Sequence, residues 1–293
     1  MTNNLAFATF RYTYILFFVG EKSLNSFFNF LYKIIKPIDQ IILNMVAYVG
    51  GMLYLIRSFA YWFFIAPLRG RGFKLSLALG QMSKIGYHAI PICVLIIFLI
   101  GFSMAIASSD QLKRFGASIF LADIIGVAIT QEMSPIITAI VVAGRSGSAI
   151  AAEIGTMMVT EEVVALKAMG LNPIKMIVVP RVFAMIMVLP CLTLLGDIFG
   201  CLAGALVAFS KLDVGFSDFY RRLILVLNRG DYILLGIQKS IAFAFTISLV
   251  ACYRGFEVSS GADAVGKATT SSVVDSIFLI IMINTIFTYV NTL

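Results

Sequence analysis

Long apolar runs separated by short polar stretches organise this chain. Four are plain: Tyr87 to Ala107, Ile119 to Ala143, Ile233 to Tyr253 and Val273 to Val290. Each approaches or exceeds the roughly 20 residues a helix needs to cross ~30 Å of hydrocarbon. A fifth, Met176 to Phe209, is longer than a straight crossing needs and contains Pro180, Arg181, Pro190 and Asp197, which predicts a tilted or bent helix. The runs are too long and too rich in Leu, Ile, Val and Phe for the alternating segments of a membrane barrel. The pattern predicts an all-α polytopic protein with five transmembrane helices.

The first 84 residues read differently. Phe7 to Val19 is interrupted by Arg11, and Ile41 to Pro67 carries Arg57 near its middle. An arginine at a span centre costs about 2.5 to 3.5 kcal/mol. Between these runs Phe27, Phe28, Phe30 and Tyr32 stand beside Lys33 and Lys36, a mixture suited to helices lying along the interface. The chain is therefore divided into an interfacial or amphipathic region, 1–84, and a transmembrane domain, 85–293, with a sixth span from Ile41 onward left open. The start lacks the basic segment, compact apolar stretch and small-residue cleavage site of a signal peptide.

Composition agrees with the pattern. Of the 293 residues 60% are hydrophobic and 13% charged, which places the chain among integral membrane proteins. Cys93, Cys191, Cys201 and Cys252 all lie in apolar runs without a C-x-x-C pair, so neither a disulfide framework nor a zinc site is expected. The single histidine, His88, excludes metal sites built on two histidines, and no metal is expected. The net charge of +7 comes without a basic run or aromatic-interleaved basic patch, so nucleic acid is not expected. A basic cytoplasmic face explains the charge: with five spans and an inner N-terminus, fifteen Lys and Arg fall inside and seven outside, Lys239 among the seven.

By that count the stretch from Ala143 to Arg181 faces the cytoplasm. Gly144, Ser148 and Ala152, then Gly147, Ala151 and Gly155, repeat small residues at helical spacing, serving either packing within the chain or a contact between two copies. A short helix follows, with Thr160 as N-cap, Glu161 and Glu162 in the first turn, Lys167 in the last, Gly170 as C-cap and Pro173 beyond. Val163, Leu166 and Met169 form its apolar stripe, suited to a soluble partner's groove or to an ordinary surface helix. Downstream, Gly261 to Lys267 matches G-x-x-x-x-G-K, but Ala268 stands where a phosphate loop needs Ser or Thr, and no buried strand precedes it. Acidic residues in the runs are Asp123 and Asp275 near run ends, Asp197, and the central Glu132, which is either a cavity residue or a satisfied structural carboxyl.

The motifs Gly144-Arg145-Ser146-Gly147-Ser148-Ala149, Ala152-Glu153-Ile154-Gly155, Glu161 through Ala165 to Met169-Gly170, Pro173 and Pro180-Arg181 occur in an order that resembles the MlaE/YrbE family of permeases. The resemblance extends upstream through "QEMSPIITAIVVAGR" and downstream through "YRGFEVSSGADAVGKATTSSVV", over roughly residues 85 to 290. It implies the permease subunit of an ABC transporter that moves phospholipids or related hydrophobic molecules. It implies no catalytic residue here and no cofactor bound by this chain, ATP and Mg being used by a partner ATPase. The helix from Thr160 to Gly170 would be the coupling helix, with Glu161, Glu162, Val163, Leu166, Lys167, Met169 and Gly170 at the ATPase contact. Family motif or packing positions would be Gly144, Arg145, Gly147, Glu153, Gly155, Pro180, Arg181, Gly266, Thr269 and Thr270. Gln131 and Glu132 would be substrate-cavity candidates, although the family commonly has Arg where Gln131 stands. Implied partners are a second copy, a cytoplasmic ABC ATPase, a periplasmic MCE-domain lipid-binding protein, in some systems a STAS-domain protein, and membrane lipids. The implied location is a bacterial inner membrane, or a plastid inner envelope in a plastid-bearing host.

Other classes fare worse. Gly144 to Gly147 matches G-x-S-G, but a serine protease needs a histidine base from a later helix, and His88 precedes the serine. Asp123 with Asp197 lacks the G-x-G-D of an intramembrane aspartyl enzyme. An ion-coupled secondary transporter using Glu132 and Asp197 is the main alternative, against which stand five spans and no internal repeat. A non-transporting scaffold is a third class.

Overall fold

The computed structural model describes residues 46–65, 75–259 and 261–292, among which every regular element is a helix. Contacts divide the chain into Met1–Leu53 and Tyr54–Leu293. Of the first unit only the opening turns of one helix are described, so most of the expected interfacial region lies outside the described residues. We number the helices α1 (Val46–Ile65), α2 (Leu75–Arg114), α3 (Ser118–Val159), α4 (Glu162–Ala168), α5 (Ile174–Leu212), α6 (Phe216–Arg229), α7 (Tyr232–Phe256) and α8 (Ala262–Thr292).

All but α4 and α6 are long and apolar enough to cross a membrane. The five predicted runs lie inside α2, α3, α5, α7 and α8, and α1 is the sixth candidate that the sequence left open. Each helix outruns its apolar run because backbone hydrogen bonds continue wherever the chain stays helical, whereas hydropathy marks only what lipid must cover. Thus α2 begins at Leu75 and runs through the boundary drawn after residue 84.

The long neighbours α2 and α5 pack along each other. Their approach depends on a four-residue glycine repeat on α5: Gly196, Gly200 and Gly204. A Cβ on Gly200 would lie 2.8 Å from Ile129 Cγ2, and one on Gly204 2.7 Å from Ile125 Cγ2. Isoleucines of α3 therefore rest directly on the α5 backbone, and a Cβ on Gly101 of α2 would lie 2.6 Å from the Gly200 carbonyl oxygen. In lipid, where helices gain little from hiding apolar surface, such contact supplies the attraction. Ile97, Leu121, Ile125 and Ile129 are fully buried in this core, and Phe219 and Leu223 from α6 pack against them with little surface left. On the other side of α3, Phe243 and Ile247 of α7 are fully buried.

Helix α6 has no counterpart in the sequence-based reading, where Arg221, Arg222 and Arg229 counted only as outer charge. It is too short to span, yet Phe219, Leu223 and Leu227 recur every fourth residue on the face that enters the core. Arg222 clamps it to α3 through two hydrogen bonds to Asp123, Nε to Oδ1 at 2.7 Å and Nη2 to Oδ2 at 2.6 Å. The guanidinium also lies 4.9 Å from the centre of the Phe120 ring, and its hydrogen bond to Asp123 raises its pKa above the ordinary arginine value. Asp123, expected as an interfacial acid, is this clamp's other half.

Candidate functional site

The turn between α3 and α5 carries α4. Its C-terminus is built as expected: Gly170 is left-handed at φ 73, its N–H bonds the Lys167 carbonyl at 3.0 Å, and the Leu171 N–H bonds the Leu166 carbonyl at 3.0 Å. This double closure is the Schellman arrangement, which a glycine adopts without Cβ strain. The N-terminus differs from expectation. Thr160 ends α3, its hydroxyl donating back to the Thr156 carbonyl at 3.0 Å, and Glu161 occupies the N-cap position in the left-handed region at φ 60. The helix is therefore the seven residues Glu162–Ala168. Thr160 fails as its cap because the chain reverses one residue later than the sequence signal suggests, which leaves Thr160 as the C-cap of α3.

The predicted stripe also divides. Val163 is buried against the body, Leu166 is half-buried, and Met169 is 65% exposed. Val164 at 56% and Leu171 at 41% join Met169 on the open surface, with Glu161, Glu162 and Lys167 exposed around them. Beyond the turn, Asn172 Oδ1 accepts from the N–H of Ile174 at 2.9 Å, and Pro173 stands at the N-cap of α5.

Glu153 and Arg181, 28 residues apart, meet beneath this turn: Arg181 Nη2 donates to Glu153 Oε2 at 2.8 Å, and Nη1 to the Ile177 carbonyl at 3.1 Å. Arg181 is buried and Pro180 beside it has no exposed face. Lys84 of α2 lies 4.0 Å from the other Glu153 oxygen, so the carboxylate draws α2, α3 and α5 together.

The two small-residue faces of α3 separate. Gly147 and Gly155 pack inward: a Cβ would lie 3.2 Å from Ile247 Cγ2 at the first, and 3.0 Å from Val258 Cγ2 and 3.5 Å from Val265 at the second. Gly144 and Arg145 are exposed, with nothing within 4 Å of a Cβ on Gly144. Val265 belongs to the stretch that imitates a phosphate loop. Here α8 has already begun at Ala262, and Thr269 and Thr270 donate to the Gly266 carbonyl at 2.6 and 2.9 Å within that helix. A helix presents no cradle of backbone N–H groups along its side, so the nucleotide reading fails geometrically.

Deeper in the bundle, Lys239 of α7 has no exposed side-chain surface and donates to Glu132 Oε1 at 2.6 Å. Thr288 Oγ1 donates to the same oxygen at 3.1 Å, and Asn284 Nδ2 donates to Oε2 at 3.1 Å. Glu132 thus binds α3, α7 and α8 to one another, while Gln131 is half-buried next to it. Sequence reasoning singled out Glu132 but assigned Lys239 to the outer loop. Its position inside the run from Ile233 to Tyr253 is the signal that could have found it, since an ionisable residue in a span needs a partner.

Glu132 lies in a π-helical turn, Ala128–Met133; Gly144, Arg145 and Gly147 occupy another, Ala143–Gly147, and a third, Ile174–Val178, leads into Pro180 and Arg181. Such turns break the α-helical ladder and concentrate at functional positions. Comparison with known proteins points the same way. Residues 78–290 match the family model described as Permease MlaE. Over 214 residues, 73% of this chain and 82% of the other, the chain is 40% identical to a probable ABC transporter permease protein of Rickettsia prowazekii. It is 33% identical over 221 residues to a probable ABC transporter permease protein of Synechocystis, covering 75% of this chain and 83% of that one. The chloroplastic protein trigalactosyldiacylglycerol 1 of Arabidopsis thaliana is 34% identical over 199 residues, 68% of this chain and 57% of its own. With its helices, its capped turn and its ordered motifs accounted for, this multi-pass membrane chain belongs to the MlaE permease family.

Proposed function

We propose that the chain is the membrane subunit of an ATP-driven lipid transporter, working as a pair of identical copies in a bacterial inner membrane or plastid inner envelope. A separate cytoplasmic ATPase binds ATP and Mg and grips α4; an MCE-domain protein receives or delivers lipid on the opposite face, and some systems add a STAS-domain protein. The single observation that carries this reading is α4 itself, a helix stopped at both ends and held by Val163, with Val164 and Met169 turned outward at the joint between two spans. A lever must be short and rooted in the elements it moves, and α4 is both. The lipid substrate is supported by the Arabidopsis relative, whose name is that of a galactosyl diacylglycerol. Glu132, with Gln131 beside it, is the candidate wall of the lipid path, its charge balanced by Lys239.

The test uses Val164→Asp on α4 and Met169→Asp at its C-cap, which put charge on the exposed surface and leave Val163 seated. Each is expected to weaken ATPase association at least about tenfold while the permease still inserts. Leu166→Asp is a poorer probe because the half-buried Leu166 also helps seat α4. An unaltered permease–ATPase complex in both variants overturns the lever. The buried Glu132–Lys239 pair favours one rival, ion-coupled transport. Vesicle transport that needs an ion gradient and no ATPase would select it.

A further inference from the structure

A cavity of about 670 Å³ lies between α5 and α6, apart from the Glu132 cluster. That volume suits a small-molecule site. Leu194, Ile198 and Leu202 of α5 form one wall and Phe219, Tyr220 and Leu223 of α6 the other. One carboxyl side chain, Asp197, is set into this apolar lining. Its Oδ1 is buried with no hydrogen-bond partner among the described residues. Two nearby hydroxyls are spent elsewhere: Ser134 donates to the Thr193 carbonyl at 2.8 Å, and Thr130, also in the lining, to the Gly126 carbonyl at 2.8 Å. A buried acceptor left unmatched in an apolar wall favours a ligand that brings the donor with it.

We propose that this cavity holds the hydrocarbon chain of a membrane amphiphile whose hydroxyl or amide N–H donates to Asp197 Oδ1. The apolar lining takes the chain, and the lone acceptor selects for a donor at its head. On the open side of this wall Ile198 and Leu202 are 63% and 45% exposed on a membrane-spanning helix, which gives the ligand a route from the surrounding lipid. The site is independent of how the transporter is energised, since neither α4 nor Glu132 contributes to it.

Two photoactivatable probes test this on the full chain in nanodiscs: a diazirine-bearing hexadecanol and its O-methyl ether, equal in chain but differing in the donor. The alcohol is expected to label peptides covering residues 194–205 and 216–227 about three- to tenfold more than the ether, the worth of one hydrogen bond. Asp197→Leu removes the preference and Asp197→Asn, which keeps an acceptor, retains it. Leu202→Trp, filling the cavity from its exposed side, removes labelling by both probes. Val164→Asp leaves labelling unchanged, so failure of the ATPase reading is separable from failure here. Equal labelling by the two probes, or labelling spread evenly along the lipid-facing sides of α2 and α8, overturns the proposal. So does labelling seen only in dissociated monomers, which would assign the cavity to a second copy.

Discussion

Lys239 is the charged residue with the least exposed surface among the described residues. An ammonium group without solvent access in a membrane bundle persists because Glu132 neutralises it and Thr288 shares the contact. Removing one partner strands the other charge; removing both leaves a neutral contact of similar shape. Lys239→Met and Glu132→Gln are each expected to destabilise the protein by about 3 to 5 kcal/mol, and the double variant by far less. Thermal unfolding of the purified protein in detergent reads this directly, and additive losses in the double variant would refute the coupling. Glu132 was legible because it stands alone mid-run. Lys239 was not, because a charge count along the chain carries no information about depth.

The elements owe their spacing to glycine and their ends to caps. Gly200→Leu forces a side chain into Ile129 and Ile97, and overpacking of this kind costs about 1 to 3 kcal/mol. Gly80→Ala in α2 meets nothing within 4 Å and is expected to stabilise the helix by about 0.5 to 1 kcal/mol. Opposite shifts in unfolding temperature are the expected outcome, and equal shifts would refute the packing account. The Asp123–Arg222 clamp belongs to this scale too. Asp123→Asn is expected to speed amide exchange across Phe216–Arg229 without changing exchange in α7, whereas an unchanged α6 would show that Phe219 and Leu223 hold it alone. Gly170, Lys167 and Pro173 were readable as the end of α4 because C-terminal capping is local chemistry. The start was misread by one residue, and α6 was passed over because three arginines in a short segment look like a loop until its apolar face finds a core.

At the scale of the molecule, orientation decides whether the capped turn faces ATP. With the buried Cys93, Cys201 and Cys252 left in place and the exposed Cys191 replaced by alanine, Lys167→Cys and Arg221→Cys offer single labelling sites. A membrane-impermeant maleimide is expected to reach Arg221→Cys from the outer side and Lys167→Cys only after the membrane is opened. Labelling of both from one side would remove α4 from the energised face. The sequence by itself determined the helical class, the count of long apolar crossings to within α1, and the motif order. These follow from hydropathy over twenty residues and from contacts within one turn, both local quantities. Tertiary structure alone decided that Glu132 meets Lys239 across 107 residues, that Arg181 meets Glu153, that Val163 turns inward, and that α6 closes over α5. Those outcomes depend on which helix faces approach which, and a charge or an apolar stripe does not name its partner until the backbones, admitted by the glycines of α5, have packed.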